Sequence, residues 1–303
     1  MKLNTLVKAF PMMEIKLDAP LADYSYTKTG GPADAIVFPR SVEEVRDIVV
    51  WVKENQVPLT ILGNLSNLIV RDGGIRGVVM ILTLMDQILV NQTQITALSG
   101  AKIIDVSQAA YKAGLTGLEF ACGIPGSTGG AIFMNAGAYG GEMVDIPLTV
   151  LTIDRDNQLH EYDRSMCDFS YRHSVFQENN EIILSVTLNL TSGDALKIKA
   201  EMDRLTDLRQ SKQPLEYPSC GSVFKRPPGH FTGKLIQDAG LQGMQMGGAQ
   251  ISTKHAGFIV NIAGATATDY ENLIHFIQDK IWELNEVKLE TEVRIIGQPL
   301  EEA

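Results

Sequence analysis

The sequence predicts an α+β protein made of three consecutive parts. Strand and helix signals alternate over short distances instead of settling into one long periodic pattern, and no internal repeat or low-complexity tract interrupts them. At 303 residues, 45% hydrophobic and 20% charged, the chain is long enough for two or three domains with sizeable cores. The parts fall at residues 1–80, 81–192 and 193–303.

In the first part, Gly30-Gly31-Pro32 signals a turn, and 35–38 reads as a short buried strand ending at Pro39. Ser41 with Glu44 three residues later is a capping-box pattern. Val42, Val45, Ile48, Val49 and Val52 then recur at helical spacing, with Pro58 past the helix end. A second strand is predicted at 59–62, and Gly63-Asn64-Leu65-Ser66-Asn67 turns out of it. The second part is richer in short strands, with a helix expected over 102–112 and Gly114 placed to cap it.

In the third part, helices are predicted at 203–212 and at 234–239, the latter closed by Gly240. Thr268 and Glu271 suggest a capping box ahead of Leu273, Ile274, Ile277, Ile281 and Leu284, an amphipathic helix. The stretch 289–296 alternates as a strand, with Glu290, Glu292 and Arg294 on one face and Leu289, Val293 and Ile295 on the other.

A formal net charge of −10, from 26 basic and 36 acidic residues, opposes non-specific nucleic-acid binding but leaves room for a locally positive pocket. No apolar run reaches the roughly 18 residues of a membrane helix, and residues 1–21 carry no secretion signal, so a cytoplasmic protein is expected. Cys122, Cys167 and Cys220 are odd in number and lack CxxC spacing, which suits structural thiols. The five histidines show no HxH or HExxH spacing, so no metal site is expected. No GxSxG elbow is present.

Two loops have residue types suited to ligand chemistry. The turn at 63–67 has backbone N–H groups and Ser and Asn side chains that suit a diphosphate. From Gly123 to Gly141, 19 residues hold seven of the 27 glycines, too many for ordinary helix or strand. Within this stretch, Gly123-Ile124-Pro125-Gly126-Ser127-Thr128-Gly129-Gly130 is neither a Walker loop nor a GxGxxG turn. Two such turns in consecutive units suit a long dinucleotide between them; packing loops are the alternative. Between Arg204 and Lys234, six basic residues (also Arg209, Lys212, Lys225 and Arg226) face only Asp207 and Glu216. That excess suits a phosphate- or carboxylate-bearing substrate, or a solvated basic face. Inside it, 220–224 reads as a small-residue turn entering a strand. Ser222 there could donate a proton to a strongly basic carbanion or enolate.

An ordered set of motifs carries a resemblance. It comprises Gly63-Asn64-x-Ser66-Asn67-Leu68, 122–127 through Met134-Asn135-Ala136-Gly137-Ala138-Tyr139-Gly140, Tyr171-Arg172-His173-Ser174, Gly221-Ser222-Val223-Phe224-Lys225 and Glu292-Val293-Arg294. Together, over roughly Tyr24 to Gly297, they resemble the UDP-N-acetylenolpyruvoylglucosamine reductases, the MurB family of peptidoglycan synthesis. The short interval between Tyr171 and Ser222 is similar to the family type that lacks an inserted substrate-covering loop.

The resemblance implies a two-part FAD-binding fold of the vanillyl-alcohol-oxidase type, followed by a C-terminal α+β substrate domain. FAD would be held non-covalently by Gly63, Asn64, Leu65, Ser66, Asn67, Gly123, Ile124, Pro125, Gly126, Ser127, Gly129 and Gly130. NADPH would reduce the flavin and give way to UDP-N-acetylglucosamine-enolpyruvate. Hydride from flavin N5 would then reach C3 of the enolpyruvyl group, leaving an enolate-like species to be protonated at C2.

By the same resemblance Ser222 is the proton donor, and Arg172 and Glu292 polarise the enolpyruvyl carboxylate. An arginine suits that role by bidentate contact, and a glutamate only if protonated or sharing a proton, which predicts a nearby charge or partial burial for Glu292. Tyr171, Lys212, Lys225 and Arg294 are the expected substrate contacts, the two lysines at the diphosphate. No obligate protein partner, nucleic acid or membrane is implied. Competing readings are an FAD-dependent oxidase of the same fold and a non-catalytic flavin or UDP-sugar sensor. One departure is Leu65, where the family usually has glycine; a leucine at positive φ would be strained, so the loop is expected to shift or Leu65 to adopt an allowed conformation, with FAD still bound but less tightly.

Overall fold

The computed structural model describes residues 2–300. The chain divides into two compact units. The first comprises Met1–Leu17, Ala35–Asn64 and Gly77–Arg209, and the second comprises Asp18–Asp34, Leu65–Arg76 and Gln210–Ala303.

The first unit opens with helix α1 (Lys2–Ala9). Helix α2 (Val42–Asn55) starts where the Ser41 hydroxyl accepts from the Glu44 N–H, while the Glu44 carboxylate accepts from the Arg40 N–H at 2.6 Å. Its apolar face, Val45, Ile48, Val49 and Val52, packs with Ala35, Val37, Val78 and Met80. Leu59–Leu62 runs parallel to 78–81 beside it.

A five-stranded antiparallel sheet forms the rest of the frame, in the order Leu159–Asp163, Leu148–Ile153, Ile182–Asn189, Gln94–Leu98, Ile88–Asn91. Between Leu151 and Thr152 the pairing jumps from Ser185 to Ile183, which inserts Leu184 as a bulge. One extra residue reverses the alternation of faces. Ile183 therefore shares the core of Val186 and Leu188, whereas Ile182 and Leu184 join the core of α2. The first of these cores is closed by α3 (Ile103–Lys112) and α4 (Thr128–Phe133). Gly114, at φ +68°, ends α3 as expected.

Helix α5 (Ala195–Lys212) begins eight residues before the predicted start at 203. Asp194 caps it by accepting from the Leu196 and Lys197 N–H groups, a start signal the sequence reading passed over.

The second unit holds a four-stranded antiparallel sheet, in the order Ser219–Ser222, Phe258–Asn261, Ala249–Ile251, Gln245–Met246. It shares a core with α6 (Thr232–Asp238) and α7 (Ala267–Asn285) through Ile236, Ile251, Ile259, Leu273, Ile274, Ile277 and Ile281.

The capping box of α7 is Thr266 with Asp269, not Thr268 with Glu271. Asp72 accepts from the Ala267 and Thr268 N–H groups, and Glu271 pairs with Arg71 at 2.9 Å. Partners some 200 residues away in sequence have taken both predicted capping residues. The regular part of the final strand is only Arg294–Ile296, parallel to Leu68–Val70. Leu289 and Val293 are buried and Glu290 and Arg294 exposed as expected, but burial does not alternate strictly between them, and the peptides at 290–292 bond to the Val223–Lys225 segment in irregular register.

Among the described residues, no helix is long and apolar enough to cross a membrane.

Candidate active site

Gly63 and Asn64, which open the first predicted cofactor loop, meet the second loop within the first unit. Asn64 Nδ2 donates to the Pro125 carbonyl at 2.9 Å. A Cβ on Gly63 would lie 2.3 Å from Ser127 Oγ, so only glycine permits that approach. Ser127 caps α4 by accepting from the Gly130 N–H at 3.2 Å. The expectation that 123–141 excludes helix is thereby corrected. Gly129 and Gly130 lie in the first turn of a six-residue helix, where the Gly129 N–H reaches the Ser99 carbonyl at 2.8 Å. The Thr128 N–H is likewise taken by Ala101. The close approach at Gly63 brings main chain of the two turns together, which fits a group that must lie close to backbone.

Leu65 also departs from expectation. It adopts φ +47°, so the loop keeps the left-handed conformation that suits the family's usual glycine. Such a backbone costs a residue with a β-carbon about 1–2 kcal/mol. The leucine side chain is 3% exposed, and its burial offsets that strain. In the second unit, the Tyr26 backbone N–H donates to the Leu65 carbonyl at 3.3 Å.

Ser222 and Glu292 come together in the second unit. The Val223 carbonyl accepts from the Glu292 N–H at 2.8 Å, so the residue after Ser222 is tied to Glu292. Asn67 Nδ2 donates to the Glu292 carbonyl at 3.2 Å, which adds the end of the first polar turn. Ser222 is exposed and Glu292 half-buried. Ser219–Ser222 is a strand that ends at Ser222, with Gly221 at φ +79° and an irregular register against 258–260, not a turn entering a strand. Two residues away, burial pushes the Cys220 thiol up to about 12, so it stays protonated and sequestered.

Tyr171 and Arg172 belong to the first unit. Arg172 stands on a tight turn in which Ser170 and His173 exchange backbone bonds at 3.1 and 3.3 Å. Its guanidinium donates to the Gly137 carbonyl at 3.1 Å and lies 4.9 Å from the ring centre of Tyr171, itself exposed.

The basic stretch is not one positive face. Arg204 pairs with Glu201, Lys234 with Asp238, and Lys225 with Glu290 at 3.7 Å, all acids outside the counted window. Lys212 and Arg294 are exposed. Arg209 was not singled out from sequence, yet its stem lies against Gly123, with Cδ 2.7 Å from where a Cβ would sit. Burial lowers its pKa from the ordinary arginine value, with Tyr139 and Cys122 nearby acting in the opposite sense. Only its place in the basic cluster hinted at a role.

Comparison with known proteins completes the picture. Residues 33–162, which include both polar loops, match the FAD binding domain family. Residues 213–296, which include Ser222 and Glu292, match the UDP-N-acetylenolpyruvoylglucosamine reductase C-terminal domain. The UDP-N-acetylenolpyruvoylglucosamine reductase of Pediococcus pentosaceus is 57% identical over 97% of this chain and 98% of its own. The chain belongs to the UDP-N-acetylenolpyruvoylglucosamine reductase family. The Latilactobacillus sakei member is also 57% identical, over 99% of both chains. The Thermus caldophilus MurB crystal structure superposes with a TM-score of 0.81 at 33% identity, covering 94% of this chain and 99% of its own. Family membership settles the fold class: an α+β FAD-binding fold followed by the family's C-terminal domain.

Proposed function

We propose that this protein reduces UDP-N-acetylglucosamine-enolpyruvate to UDP-N-acetylmuramate in the cytoplasm, using NADPH and non-covalently bound FAD. The tie from Glu292 through the Val223 carbonyl to the Ser222 strand is the observation that carries the chemistry. Nearly full-length likeness to reductases of that name carries the substrate.

FAD would lie along the cradle of 63–67 and 123–130, and when bound it supplies the hydride for C3 of the enolpyruvyl group. The work of the chain itself is electrostatic and protonic. Arg172 holds the substrate carboxylate as negative charge spreads onto it, which is where a fixed cation stabilises a transition state most. Glu292 contacts the same carboxylate in its protonated form, since only a protonated glutamate can donate to it. Ser222 delivers its hydroxyl proton to C2. An enolate carbon is basic enough to accept a proton even from serine.

Lys212 and Lys225 take the diphosphate, and Tyr171 and Arg294 complete the substrate contacts. On this reading 1–80 and 81–192 serve the cofactor and 193–303 serves the substrate, without nucleic acid, membrane or an obligate protein partner.

The test is anaerobic NADPH oxidation with and without UDP-N-acetylglucosamine-enolpyruvate. Expected is substrate-dependent oxidation that yields UDP-N-acetylmuramate and collapses in Ser222→Ala. NADPH consumption only with oxygen would make the protein an oxidase, and bound flavin without turnover would make it a sensor; either result overturns the proposal.

A further inference from the structure

Arg172 is set in place by a network that no part of the mechanism above uses. Its backbone is left-handed at φ +58°, and its carbonyl is gripped by Gln177 Nε2 at 3.0 Å. Strain of this kind persists only where the surroundings hold it. The Arg172 side chain is 17% exposed, and Nη1 lies 3.7 Å from Glu142 Oε1. The other carboxylate oxygen, Oε2, accepts from Asn135 Nδ2 at 3.0 Å.

Asn135 is itself left-handed, at φ +42°, and 1% exposed. Its Nδ2 also donates to the Ser170 carbonyl at 3.0 Å, and its Oδ1 accepts from the Val144 N–H at 2.9 Å. A single buried side chain thus sets both the carboxylate facing Arg172 and the turn that carries Arg172. Gly137 closes the arrangement. Its carbonyl takes the Arg172 Nη2 bond, and a Cβ there would stand 2.5 Å from Glu142 Cγ. The surface pair Arg204–Glu201 has nothing comparable around it, with both side chains about half exposed.

We propose that Glu142 and Asn135 are positioning residues for Arg172, holding its guanidinium where the substrate carboxylate must bind. This rests on the reading of Arg172 as the carboxylate-holding group. Without Glu142 the arginine keeps its charge but loses its direction. That weakens the contact that strengthens as hydride arrives more than it weakens initial binding.

The test uses the flavin-loaded protein and follows two half-reactions anaerobically: flavin reduction by NADPH, and re-oxidation of dithionite-reduced flavin by UDP-N-acetylglucosamine-enolpyruvate. Glu142→Ala is expected to slow re-oxidation by about 10²-fold while leaving reduction by NADPH unchanged. Glu142→Gln, which preserves an acceptor for Asn135, should recover part of that loss. In an Arg172→Ala background, Glu142→Ala should add nothing, because the two residues act through one group.

Equal slowing of both half-reactions, or losses that add in the double variant, would reduce Glu142 to a structural residue and overturn the proposal. Should Arg172→Ala itself leave re-oxidation untouched, the reading of Arg172 fails instead, and the proposal fails with it.

Discussion

The cofactor cradle and the Ser222 edge are built in opposite ways. At the proposed cradle the chemistry would lie in main chain brought close together: a missing side chain at Gly63 admits Ser127, and the Asn64 amide holds the Pro125 carbonyl. At the Ser222 edge the proposed chemistry would lie in side chains, and the bond from the Glu292 N–H to the Val223 carbonyl ties their backbones together. Damage should therefore differ in kind. A change at the cradle alters what the protein can hold, whereas a change at the edge alters what it can do with a ligand already held.

Leu65 gives the largest expected effect on stability and strains this comparison most, since a side chain matters there inside a main-chain site. Leu65→Gly would relieve about 1–2 kcal/mol of left-handed strain but remove a side chain only 3% exposed. Emptying such a site costs about 2.7–5.0 kcal/mol in a Leu→Ala change. A net loss of about 1–4 kcal/mol should appear in denaturant unfolding. A more stable glycine variant would mean that strain outweighs packing.

Gly63→Ala comes next. It pushes Ser127 Oγ off the Gly130 N–H, and losing such a cap costs about 1 kcal/mol. The readout is flavin retained through gel filtration, which should fall. Unchanged retention would show that the cradle tolerates a Cβ.

The smallest effect lies away from both regions. His160 Nε2 sits 2.9 Å from Asp154, whose hydrogen bond raises the imidazole pKa above its usual value of about 6.5. A raised folded-state value gives stabilisation that is fully present below the unfolded pKa and lost as pH rises through the folded one. The stability gap between wild type and His160→Gln should thus narrow from mildly acid to mildly alkaline pH, and a gap that widened would reverse the assignment.

The local structure of the fold and of the candidate loops was legible where its signals are local. Ser41 and Glu44 bond within one turn, and the glycines of 123–130 mark a close backbone approach whatever their partner. Where sequence reading failed, the deciding partner was remote. Asp72 and Arg71 captured the residues expected to cap α7. The place of Arg209 against Gly123 depends on a helical residue more than 80 positions downstream. The Asn135–Glu142 network lies between these extremes. Its members are close in sequence, but nothing in their spacing says that both converge on Arg172.

The most direct test of the central claim compares Ser222→Ala and Gly63→Ala in the two anaerobic half-reactions. The account predicts that Ser222→Ala keeps its flavin, is reduced by NADPH at the wild-type rate, and is re-oxidised by the enolpyruvyl substrate about 10²–10⁴-fold more slowly. Gly63→Ala should lose flavin, while whatever remains bound reacts normally. Wild-type re-oxidation in Ser222→Ala would contradict the account outright.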